Sequence, residues 1–210
     1  MYTLYYAPGA ASMVVHWLLL ELGQPHELRL VDTGKGEQKT PQYLALNPNG
    51  VVPTLLVDGA PMFEAAAILM HLADTHAEPA LAPKVGSAGR RGYTQWMFHL
   101  ANAVQPLFRQ WWYPHEPAGE ANIELVKQSA AMRIGAAWDR IDAQLAANGP
   151  YLLGEAASAA DFYMVMLMRW SRNMPRPATD WPHLSALAQR LKVRASFAQL
   201  CEREGLTEWV

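Results

Sequence analysis

Val51-Val-Pro-Thr-Leu-Leu-Val-Asp-Gly-Ala-Pro-Met-Phe63, followed at once by Glu64-Ala-Ala-Ala-Ile-Leu69, decides how the first part of this chain folds. Val51 to Val57 is apolar and rich in β-branched residues, and Asp58-Gly59 supplies the left-handed backbone of a two-residue hairpin. Pro61 to Phe63 then returns as the partner strand. Glu64 begins an alanine-rich helix that sets Ile68, Leu69 and Leu72 on one side. Upstream, Tyr2-Thr-Leu-Tyr-Tyr6 reads as a strand that enters a turn at Pro8-Gly9. Ser12 caps or joins the first turn of a helix that runs to Leu22 and closes at Gly23. Glu27 to Val31 alternates as a second strand, Thr33 to Thr40 is polar surface loop, and Pro41 opens a short helical turn through Leu46. The order β-α-β-α-β-β-α over residues 1–77 predicts a compact α/β module.

Small residues, prolines and glycines fill 78–89, which reads as a linker. From 90 to 210 the periodicity is helical throughout. Tyr93, Trp96, Met97, Leu100, Val104, Leu107, Phe108 and Trp111 recur at three and four residues, and so do Ile123, Val126, Ala130, Ile134, Ala137, Trp138, Ile141 and Leu145. Pro106 should bend the first of these helices. Shorter helices are predicted at about 159–172, 182–192 and 194–203, so the second domain is all-α.

With 210 residues, 51% of them hydrophobic and 17% charged, the chain can bury an ample core and general disorder is excluded. A net charge of −2 with no long basic run argues against a nucleic-acid or polybasic membrane footprint. Cys201 is the single cysteine, which excludes an internal disulfide and a CxxC redox or zinc motif. The apolar stretch Met13 to Leu22 is broken by His16 and Glu21 and is too short to span a bilayer. No Lys or Arg precedes Arg29, so the positive start of a secretory signal is missing, and a soluble, cytoplasmic protein is expected. The seven histidines show no metal-ligand spacing; His16 reads as a polar packing residue, and no metal or nucleotide is implied.

Four segments in this order resemble the cytosolic glutathione S-transferase family: Leu4-Tyr-Tyr-Ala-Pro-Gly-Ala-Ala-Ser12, Leu46-Asn-Pro-Asn-Gly-Val-Val-Pro-Thr-Leu55, Phe63-Glu-Ala-Ala-Ala-Ile68 and Gly154-Glu-Ala-Ala-Ser-Ala-Ala-Asp161. The resemblance spans the whole chain. It implies a thioredoxin-like α/β domain that binds glutathione, an all-α C-terminal domain, and a homodimer. The first segment is most similar to the bacterial beta class, with Ala11 standing where that class usually has cysteine. Ala101 stands where the class has a histidine, with His99 nearby.

Glutathione carries two carboxylates, an amine and a thiol, so its site must hold both ends and tune the sulfur. A free thiol has a pKa of about 8.5 and is only a few per cent thiolate at neutral pH. A hydroxyl donor and helix N-terminal amides can lower it. Ser12, where strand gives way to helix, is the first candidate donor, with a helix cap as its plain structural role. Tyr6 is the alternative, and it and Tyr5 face opposite sides of their strand.

The resemblance further implies a cis Pro53, with Val52 offering its backbone N–H and C=O to the cysteinyl moiety as an added strand would. A trans edge-strand proline is the alternative. It also places Glu64 and the Ala65 amide at the γ-glutamyl end, and Gln38 and Lys39 at the glycyl carboxylate, with Lys35 as a second possible cation. No tightly bound cofactor is implied; glutathione is a cosubstrate.

A pocket for a small hydrophobic electrophile is expected between the domains. Phe108, Arg109, Trp112 and Trp170 are its candidate lining, helix–helix core being the alternative for each. Ser158 and Asp161 form an S-x-x-D capping box and specify fold, not catalysis. The implied activity is conjugation of glutathione to that electrophile. The rivals are a glutathione-binding module with little turnover and a glutathione-dependent isomerase or reductive dehalogenase.

Overall fold

The computed structural model of the chain describes residues 1–209. Its first part runs β1 (Tyr2–Tyr6), α1 (Ser12–Glu21), β2 (His26–Leu30), α2 (Pro41–Leu44), β3 (Thr54–Val57), β4 (Ala60–Phe63) and α3 (Ala65–Thr75). The strands form one sheet in the order β2-β1-β3-β4. β1 and β2 are parallel across α1, and the other two pairings are antiparallel, as the thioredoxin-like reading requires. Asp58 and Gly59 take φ of 50° and 87°. Both central residues of the turn are therefore left-handed, the geometry that lets a two-residue loop follow the twist of its strands.

Every side chain of α1 from Ser12 to Leu19 is buried. The helix is apolar on nearly all sides, so it needs cover all round. The sheet and α3 supply part of it. The rest comes from the far end of the chain. α10 (Ala195–Glu204) packs along α1, with Trp17 Nε1 donating to Ser196 Oγ at 3.0 Å and Arg194 Nε donating to Glu21 Oε1 at 2.9 Å. Burial pushes the Glu21 carboxyl up, but the Arg194 and Ser196 hydrogen bonds outweigh it and hold the group below the usual carboxylate range. Residues from Lys192 onward thus join 1–82 in one compact unit, whereas the sequence reading runs the helical domain from 90 to the end. A ten-residue amphipathic helix carries no mark of which unit it covers, and that is the physical reason for the difference.

The second unit, 83–191, is helical. It contains α4 (Ala88–His99), α5 (Gln105–Trp112), α6 (His115–Ala118), α7 (Ile123–Asn148), α8 (Ala159–Trp170) and α9 (Pro182–Lys192). Between α4 and α5 the chain widens into a π-helical turn over Leu100–Val104. Pro106 lacks the N–H that would bond one turn back, and it lies just after this wide turn. α8 forms the centre, buried from Ala159 to Arg169. The reciprocal capping box of Ser158 and Asp161 starts it, and Leu152 N–H adds a hydrogen bond to Asp161 Oδ1 at 2.8 Å. Among the described residues, no helix is long and apolar enough to cross a membrane.

Candidate active site

Tyr5 pairs with Thr54, and Thr54 pairs with Phe63. The next residues out along these strands are Tyr6, Pro53 and Glu64, so the end of β1, the start of β3 and the end of β4 emerge together at one edge of the sheet. The Val52–Pro53 bond is cis. Among the described residues, neither the N–H nor the C=O of Val52 has a hydrogen-bond partner. A pair of open main-chain groups beside a sheet is a ready seat for an extended peptide.

Glu64 lies across from that seat with φ 75° and ψ 107°, a conformation that L residues rarely adopt. Such backbone costs on the order of 1–3 kcal/mol and concentrates at functional sites. It turns the chain directly into α3, whose amides at Ala65, Ala66 and Ala67 precede the first bonded one, Ile68 N–H to Glu64 O at 2.9 Å. The exposed Glu64 carboxylate and the open amides of an eleven-residue helix therefore stand side by side. Lys39 Nζ donates to Asn49 O at 3.3 Å and lies where a Cβ on Gly50 would fall, 2.8 Å away. Gly50 (φ 59°) thus makes room for the ammonium next to the Val51–Pro53 segment. Gln38 is turned toward Thr33 O at 3.4 Å, and Lys35 pairs with Asp32 at 3.0 Å. Of the two candidate lysines, only Lys39 reaches the loop that leads to Val52.

Ser12 joins the first turn of α1, one of its two expected placements. It is the first helical residue rather than the cap, it is fully buried, and its hydroxyl closes on Ala7, accepting from Ala7 N–H and donating to Ala7 O, both at 3.1 Å. In this arrangement the hydroxyl proton is engaged by the Ala7 carbonyl. The work of the hydroxyl is to brace the 7–12 loop. The amides of Ala11 and Ser12 itself, at the start of ten-residue α1, have no partner among the described residues. Tyr6 is half-buried against His16, ring centroids 6.1 Å apart, and burial followed by the Glu204 charge pushes its phenol up, so it stays a protonated donor at neutral pH. Tyr5 faces the other side, edge-on to Tyr43 at 5.9 Å.

Glu204 of α10 was not singled out by sequence reasoning. One carboxylate oxygen accepts Gly9 N–H at 2.8 Å, and the other lies 2.8 Å from Nδ1 of buried His16. A signal for it exists. Phe197, Leu200, Cys201 and Glu204 share one buried helix face at i, i+3, i+4 and i+7, and an acid at the end of an apolar stripe needs a partner. His16 is accordingly a polar packing residue, as read.

In the second unit, Phe108 is a correction: it is fully buried, with its ring 5.9 Å from those of both Trp138 and Trp170. It is helix–helix core, and Trp170 packs edge-on against it. Arg109 is engaged by both carboxylate oxygens of Glu116, with Nε at 2.7 Å, and its guanidinium lies 4.0 Å over the Tyr113 ring. Trp112 remains 40% exposed, with the Arg172 guanidinium 5.7 Å from its centroid. No group of three or more His, Cys, Asp or Glu side chains able to hold a metal occurs among the described residues.

The sequence and fold that carry this sheet edge match known proteins along nearly the whole chain. Residues 10–75 match the glutathione S-transferase N-terminal domain, and residues 72–194 match the glutathione S-transferase C-terminal domain. The chain belongs to the glutathione S-transferase family. Glutathione S-transferase GST-4.5 of Xanthomonas campestris pv. campestris is 31% identical over 97% of this chain and 98% of its own. A glutathione transferase from Methylococcus capsulatus superposes with a TM-score of 0.88 at 31% identity, covering 99% of this chain and 100% of that one. A homologue from Sulfitobacter, solved with bound glutathione, superposes at 0.89 with 27% identity, covering 99% of each.

Proposed function

We propose that this transferase holds reduced glutathione at the sheet edge, stabilises its thiolate, and adds it to a small hydrophobic electrophile. The reading rests chiefly on the unpartnered N–H and C=O of Val52, which fit the cysteinyl unit of the tripeptide as a further strand. The γ-glutamyl carboxylate goes to the amides at the start of α3, beginning with Ala65, and its amine to Glu64. The glycyl carboxylate goes to Lys39, with Gln38 beside it. The sulfur faces the start of α1, where the Ala11 and Ser12 amides stabilise negative charge and the Tyr6 hydroxyl is the remaining side-chain donor. In the reaction the thiolate forms a C–S bond. The displaced pair leaves with the electrophile's leaving group or is protonated at carbon. No protein thiol takes part, since Ala11 replaces the cysteine. The exposed Trp112 ring in the second unit suits a planar apolar molecule. The reading extends to a cytoplasmic homodimer, which sedimentation at micromolar concentration tests against a 23.4 kDa monomer.

Calorimetric titration with reduced glutathione, followed by a chromogenic conjugation assay, tests the reading. Saturable heat together with a product that carries one glutathionyl group through a new C–S bond supports it. Heat without turnover leaves a binding module, and a product with the mass of its substrate makes the protein an isomerase.

A further inference from the structure

Behind Val52 lies a buried polar cluster that no part of the proposed chemistry uses. Tyr43, on α2, donates its hydroxyl to Val51 O at 2.8 Å and lies 2.8 Å from Thr54 Oγ1. Asn47 is fully buried and donates Nδ2–H to the same Val51 O, also at 2.8 Å, while its Oδ1 accepts Asn49 N–H at 3.1 Å. Both lone pairs of one carbonyl oxygen are therefore held from the protein side. Burial pushes the Tyr43 phenol up, so the hydroxyl stays a donor.

The consequence follows from peptide geometry. Val51 C=O and Val52 N–H belong to one trans peptide unit, in which the two groups lie in a plane and point in opposite directions. An oxygen pinned inward by two hydrogen bonds aims the N–H outward. We infer that Tyr43 and Asn47 are positioning residues for glutathione: by clamping Val51 O they orient the Val52 N–H that the tripeptide's main chain accepts. Thr54 completes the clamp, because a Tyr43 hydroxyl that donates to Val51 O accepts from Thr54 Oγ1. The inference rests on the reading that Val52 binds glutathione through its backbone.

The test is Tyr43→Phe, which removes one clamp and keeps the ring, alongside Asn47→Asp, which removes the other donor and sets an oxygen against Val51 O. Calorimetry with S-hexylglutathione measures affinity independently of the thiol, steady-state kinetics separate KM from kcat, and thermal unfolding reports folding. The expected result for Tyr43→Phe is an S-hexylglutathione affinity about fivefold weaker, the size of one lost hydrogen bond, with KM for glutathione raised by the same factor and kcat unchanged. Thr54→Val, which unfixes the tyrosine hydroxyl without touching Val51, should show a smaller shift in the same direction. A Tyr43→Phe protein with a lowered melting temperature but wild-type S-hexylglutathione affinity overturns the inference and leaves the cluster purely structural. If Tyr43→Phe fails to fold, the Thr54→Val affinity decides in the same way. Absence of any binding to the wild-type protein overturns the underlying reading together with the inference.

Discussion

At the sheet edge of the first unit, main-chain groups stand open among the described residues: Val52 N–H and C=O, and the first amides of α1 and α3, beside the exposed Glu64 carboxylate. At the α5 end of the second unit two of the side chains expected to carry chemistry are already taken by neighbours, while Trp112 stays exposed. Phe108 is sealed between Trp138 and Trp170, and Arg109 is paired with Glu116. Ser12, in the first unit, belongs with this second group because Ala7 holds its hydroxyl. The difference has a physical origin. Backbone availability is set by strand register and helix ends, which a motif specifies. A side chain's availability depends on whichever partner folding brings beside it.

The largest test of that contrast lies within α5. Phe108→Ala should destabilise the second unit by about 3–5 kcal/mol, the cost of an aromatic cavity in a closed core. Trp112→Ala, at an exposed ring, should change stability by less than about 0.5 kcal/mol and raise KM for the electrophile alone. Chemical denaturation and steady-state kinetics on the two variants check this. Equal stability losses would return Phe108 to the list of open surfaces.

Asp161 sharpens the comparison on the structural side. Burial pushes its carboxyl up to about 6, against the hydrogen bonds from Leu152 and Ser158 that favour the charged form. A folded-state value above the unfolded one means the native state holds the proton more tightly. The group's stabilising effect is therefore complete below about pH 4 and fades as pH rises through 6. With about 1.36 kcal/mol per unit, the loss across that window is about 3 kcal/mol. Denaturant titrations of wild type and Asp161→Asn from pH 4 to 7 should show the wild-type advantage narrowing over that range. An advantage that is constant or widens with pH contradicts the assignment.

The smallest expected effect concerns Ser12→Ala. Losing the brace on Ala7 should cost about 1 kcal/mol of stability while leaving the pKa of bound glutathione unmoved. Thiolate absorbance against pH in the binary complex reads this. A raised thiol pKa in the variant would put the hydroxyl back on the sulfur.

Much of this molecule is legible in its sequence. Asp58-Gly59 determines the hairpin turn, the apolar α1 announces a buried helix, and Ser158 with Asp161 announces the cap of α8. The order of elements around Pro53 and Glu64 points to the edge where they meet. What the sequence does not carry is pairing at a distance. That α10 covers α1, with Glu204 reaching Gly9, depends on contacts nearly two hundred positions apart that no local period encodes. The same holds for the two donors on Val51 O, since tyrosine and asparagine at those positions read as ordinary α2 and loop residues.

Glutathione seated at the sheet edge would be reported most directly by the Val52 amide. In a heteronuclear NMR titration with reduced glutathione, its N–H resonance should move downfield and saturate together with that of Ala65, because both donate to the same ligand. Saturable glutathione binding that leaves the Val52 resonance in place would contradict that seating.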